Sequence, residues 1–95
     1  MNTNPAMIVL VTAGKDKGKY QMVLDVLDDN HVLVCDGRRR RVEAPKKKKL
    51  KHIKSLEYSL DRIKEKLEEG SKINNSEVRR EIRRVLLKNG ILTEE

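Results

Sequence analysis

The sequence predicts a mainly β domain with α: a small barrel of short strands over residues 1–55, then a two-helix extension over residues 56–95 that packs on it. Three observations lead there. Runs rich in valine, isoleucine and leucine alternate with turn residues through the first part of the chain. From Leu56 onward the apolar positions fall at helical spacing instead. A chain of 95 residues is long enough for one domain with a modest core.

Strands are expected at residues 7–12, 20–27 and 32–35, with residues 38–43 as a fourth. Asp28, Asp29 and Asn30 tolerate the left-handed backbone of a tight loop, and Asp36-Gly37 is a strong hairpin signal. Pro45 ends the fourth strand because it has no amide hydrogen to give a ladder, and residues 50–55 supply a short fifth. Five such strands curl into a barrel, since a flat sheet would leave open edges. Ile8, Val9, Leu10 and Val11 are apolar on both faces, so part of the outside needs a cover.

The helices supply that cover. Leu56, Leu60, Ile63 and Leu67 form one stripe that stops at Gly70, and Val78, Ile82, Val85 and Leu86 form the next. Asn74 with Glu77 three residues on reads as a capping box, and Asn89-Gly90 closes the second helix. Such stripes build core in most small proteins, but they also leave room for a protein partner docked on the helical extension.

Lysine and arginine number 22 against 15 acidic residues, a formal charge of +7 at pH 7. The excess is local. Residues 1–45 hold seven basic against six acidic side chains, residues 46–54 six against none, and residues 55–95 nine against nine. An anionic partner follows from that imbalance. The single Cys35 has no disulfide partner and the longest apolar run, residues 7–13, is far too short to cross a bilayer. A cytoplasmic protein with no membrane or targeting segment is therefore expected.

The stretch GKDKGKY, residues 14–20, admits two readings. It is either a polar turn or a cradle in which amide hydrogens around Gly14 and Gly18 converge on a phosphate with lysines beside it. Its spacing is that of neither a phosphate-binding nucleotide loop nor a dinucleotide fingerprint.

Residues 11–37, VTAGKDKGKYQMVLDVLDDNHVLVCDG, resemble a KOW motif: a valine-led strand, a glycine loop, a second strand and a valine-rich third. RRRRV, LKHI and NNSEVRREIRR are similar to the continuation found in the fourteen-e branch of large-subunit ribosomal proteins. The chain departs from most KOW loops at Gln21, where another glycine is usual, and this fits the fourteen-e branch. The resemblance implies an SH3-like barrel that binds RNA, most often ribosomal RNA, without catalysis. It also implies that Lys15, Lys17, Gly18 and Lys19 form a phosphate-contacting element, Gly18 being the motif's most characteristic glycine.

Lys46, Lys47, Lys48, Lys49, Lys51 and Lys54 follow Pro45 with no acid among them, as a solvated linker or as a phosphate-binding run in which His52 joins. Arg39 and Arg41 are the favoured arginines of the 38–41 run, because alternation puts them opposite the inward Val42. Tyr20 and Tyr58 are the only aromatic rings, so stacking is limited to Tyr20 beside the loop, where rim packing is the rival role. Phosphate and shape should dominate recognition.

Cys35, His31 and His52 make a poor nucleophile-and-base set and a poor metal site, so no enzyme activity, cofactor, metal or small-molecule substrate is expected. The competing readings are a protein-interaction module and a DNA-facing or transcription-complex KOW protein.

Overall fold

The computed structural model describes residues 3–93. Five antiparallel strands, β1 (Met7–Val11), β2 (Tyr20–Val26), β3 (His31–Cys35), β4 (Lys46–Lys49) and β5 (Ile53–Ser59), form one sheet in the order β4-β3-β2-β1-β5. Two helices follow, α1 (Asp61–Glu69) and α2 (Asn75–Lys88).

The first three strands and α2 lie where the sequence places them, and α1 stops at Gly70 as expected but begins at Asp61, five residues beyond the Leu56 start of the expected stripe. The fourth strand lies elsewhere. Residues 38–43 are turn, and the ladder partner of β3 is the lysine run, with Val34 opposite Lys46 and Val32 opposite Lys48. The reason is local hydrogen bonding. One carboxylate oxygen of Asp36 accepts the amides of Arg38 and Arg40, while the Arg40 carbonyl accepts those of Asp36 and Gly37. Backbone groups spent this way cannot extend a ladder. Pro45 thus stands just before the fourth strand. The fifth strand also differs, because Leu50–His52 is a 3₁₀ turn and β5 runs on through residues 55 and 56, where the barrel was expected to end. Leu56 is accordingly a strand residue, and Leu60 caps α1.

That 3₁₀ turn constrains the sheet. In a flat arrangement the edge strands β4 and β5 would lie about 19 Å apart. Four Cα steps from Lys49 to Ile53 reach at most about 15 Å, so the sheet curls.

The curl separates two apolar clusters. Val9, Val11, Val23, Val32, Val34 and Ile53 pack on one face with Leu50 of the 3₁₀ turn, and no residue of α1 or α2 joins them, so the curled sheet itself covers this face. Ile8, Met22 and Cys35, from alternate positions on the same strands, pack with Leu60 and Ile63 and with the α2 stripe of Val78, Ile82, Val85 and Leu86. The two-sided apolar pattern of β1 is thereby explained.

Both helix ends are built from the expected chemistry. Asn74 accepts the Glu77 amide at 2.9 Å and Glu77 accepts the Asn74 amide at 2.8 Å, which is a capping box. Gly70 and Gly90 follow the two helices with φ of +73° and +72°. No helix among the described residues is long and apolar enough to cross a membrane.

Candidate nucleic-acid interface

The glycine loop, residues 12–19, is held from within. Lys17, Gly18 and Lys19 donate their amide hydrogens to the carbonyls of Gly14, Val11 and Asp16, so these three amides do not converge on a ligand. The anion at the centre of the loop is its own. Asp16 is 1 % exposed, accepts Arg40 Nε at 2.7 Å and Gln21 Nε2 at 3.1 Å, and has Arg39 Nε at 3.1 Å. Burial works against its charge, yet the bonds from Arg40 and Gln21 and the charges of Arg40 and Arg39 prevail and hold its pKa below the usual aspartate value. Gln21, where a KOW loop often has glycine, is fully buried and acts as a tie to Asp16.

What the loop offers outward is side chains. Lys15, Lys17 and Lys19 are exposed, and no carboxylate among the described residues lies within ion-pair distance of them. At Gly18 the backbone is left-handed, with φ +88°, and the space around the missing side chain is open.

The arginine run serves several ends. Alternation along a strand does not apply to Arg39 and Arg41, because the segment is a turn. Arg39 and Arg40 both turn to Asp16, and Arg41 Nε sits 2.6 Å from Glu43 Oε1. Arg41 and Asn75 together hold the Glu43 carboxyl down at about 2. Arg38 has no carboxylate partner among the described residues and borders a cleft beside α2.

The lysine run is an edge strand in which one lysine is buried and three are exposed. Lys46, Lys47 and Lys49 are exposed, as is Lys51 beyond them. Lys48 shares the face of Val32 and is only 9 % exposed; its Nζ reaches along the valine cluster to donate to the Ala13 carbonyl at 3.3 Å, beside Gly14. Lys48 therefore ties β4 to the glycine loop, while its neighbours present charge. His52 is half-buried in the 3₁₀ turn, and its carbonyl accepts the Thr12 amide.

A further group of cations was not anticipated. The two acids of α2 both turn toward cations of α1. Glu77 meets Lys66 of α1 at 2.7 Å, and Glu81, buried, meets Arg84 at 3.0 Å and Arg62 of α1 at 4.0 Å. Arg79 and Arg83 lie on the other flank and, with Arg80 between the two, border a cleft of about 520 Å³ together with Lys19, Tyr20 and Arg38. Equal counts of acids and bases over residues 55–95 hid this, although the i, i+4 spacing of Glu77–Glu81 and of Arg79–Arg83 was available as a signal. Arg79 is fixed by the Gly37 carbonyl and the Ser76 hydroxyl.

Groups with reactive chemistry lie elsewhere. Cys35 is buried beneath the helices, and burial together with the Asp36 charge pushes its thiol up to about 12. His31 contacts Asp28 at 2.9 Å on the hairpin at 27–31. No group of three or more His, Cys, Asp or Glu side chains among the described residues is placed to hold a metal ion. No protein-family model matches the chain, and no curated protein matches it.

Proposed function

We propose that the protein is a non-enzymatic, cytoplasmic RNA-binding protein that holds ribosomal or other structured RNA by its phosphates and shape. On this reading the curled sheet is an SH3-like barrel of the KOW type, its edges drawn together by the 3₁₀ turn at Leu50–His52. The observation that carries the reading is the sorting of charge. Three acids are engaged internally, Asp16 by Arg39 and Arg40, Glu77 by Lys66 and Glu81 by Arg62 and Arg84, while Asp25, Asp29, Glu57, Asp61, Glu65, Glu68 and Glu69 stay exposed on other segments. Lys15, Lys17, Lys19, Lys46, Lys47, Lys49 and Lys51 remain exposed without a carboxylate beside them among the described residues. Displayed cations of this kind suit a polyanion, and the scarcity of rings suits phosphate over base readout.

Purification at low salt tests it. The protein should carry nucleic acid that ribonuclease removes and deoxyribonuclease does not, and it should bind a structured RNA more tightly than duplex DNA of the same sequence. A nucleic-acid-free preparation that binds neither, or equal affinity for the DNA, would overturn the proposal.

A further inference from the structure

We infer that the cleft between α2 and the start of β2 receives one unpaired nucleotide of the bound RNA, its base against Tyr20 and its flanking phosphates on Arg38 and Arg83. This rests on the RNA-binding reading and names a second, chemically distinct subsite within it. The β4 lysines line an open edge suited to the backbone of a helix; the cleft differs in shape and in lining.

Its rim is cationic: Lys19 from the end of the glycine loop, Arg38 from the turn, and Arg80 and Arg83 from α2. Lys19, Arg38 and Arg83 have no carboxylate within ion-pair distance among the described residues, and Arg80 is 3.9 Å from a Glu81 oxygen already engaged by others. Asp36 is the one acid at the rim, and the amides of Arg38 and Arg40 occupy one of its oxygens. The interior is apolar, lined by Ile82, Leu86 and Leu92, with the half-buried ring of Tyr20 among them.

A ligand matched to this lining has a flat, weakly polar body between negative charges. A volume of about 520 Å³ is that of a small-molecule pocket and excludes a double helix. Unpaired bases in RNA are the groups that leave a helix to stack on aromatic rings and guanidinium planes, and the backbone on either side brings its phosphates with it. Arg79 cannot swing away to close the space, because Gly37 and Ser76 hold it. The site is thus open and pre-shaped, with exposed cations at its mouth.

Fluorescence anisotropy with two RNAs tests the inference: a fully paired hairpin stem, and the same stem with one bulged nucleotide. The native protein should bind the bulged RNA roughly ten-fold more tightly, as one stacked base contributes. Tyr20→Phe should keep that preference. Tyr20→Leu and the double variant Arg38→Ala/Arg83→Ala should lose it while still binding the paired stem, and the arginine variant keeps a control in hand should loss of the Tyr20 ring impair folding. Equal affinity of the native protein for both RNAs would overturn the cleft assignment and leave RNA binding intact; failure to bind either would remove both. Competition by millimolar adenosine monophosphate at the level of the bulged RNA would point to a free nucleotide and overturn the assignment too.

Discussion

Gly37 and Gly18 both have left-handed backbone, yet their substitutions should differ. A side chain at Gly37 would place its Cβ 2.3 Å from the Asn75 carbonyl, at the first turn of α2, so Gly37→Ala must push the helix off the sheet as well as strain φ. We expect a loss of about 3 kcal/mol or more in urea unfolding, against about 1 kcal/mol for Gly18→Ala, where space is open. The expectation that Gly18→Val harms folding rests on φ alone for the same reason. Asp16 is the other single residue on which much depends. Asp16→Asn leaves Arg39 and Arg40 facing a neutral amide and should cost about 3 kcal/mol, read from the same unfolding curves. Because the freed arginines add cations beside the loop lysines, RNA affinity of the folded variant should hold or rise. A fall in affinity without unfolding would mean that Asp16 orders the contact surface.

Among the elements, β4 shows why a contact list from sequence needs a register. Lys46, Lys47 and Lys49 display charge, whereas Lys48 runs inward along the valine cluster. The triple variant Lys46→Glu/Lys47→Glu/Lys49→Glu should lower RNA affinity more than ten-fold, since about three phosphate contacts turn repulsive, and leave the melting temperature within a few degrees. Lys48→Glu should instead melt the protein, because its carboxylate would be carried into an apolar wall. The strands rich in valine were legible because their apolar runs and the Asp28–Asn30 turn have no other use, and the capping box fixed the start of α2. β4 was not. Lysine is a poor strand former and four in a row carry no alternation, so only pairing with β3 makes this segment extended. The arginine cleft escaped for a related reason: whether Arg79 and Arg83 are cancelled depends on which flank of α2 meets α1, and Lys66 and Arg62 decide that across a loop.

At the scale of the whole molecule, acid and salt act on different charges. Asp16 and Glu77 both have folded pKa values below those of the open chain, for Glu77 chiefly through the Lys66 hydrogen bond, against burial. The stability they lend is therefore complete above the ordinary carboxylate range near pH 4 and drains away as pH falls through the lowered folded values. Thermal melts from pH 6 down to pH 2 should show this decline, and Asp16→Asn should flatten it. Salt leaves these internal pairs largely alone and screens the displayed lysines. With about four phosphates engaged on single-stranded RNA, log K should fall against log salt with a slope near −3. The two-sided sheet has one more consequence, for how the chain is made. Ile8, Met22 and Cys35 find most of their buried cover in Leu60, Ile63 and the stripe of α2, with Val42, Leu56 and Tyr58 packing at the margin, so the early strands emerge from synthesis as an oily, half-roofed surface. Maturation must wait on the last helix, and a nascent chain stalled before Val78 would be a client for chaperones.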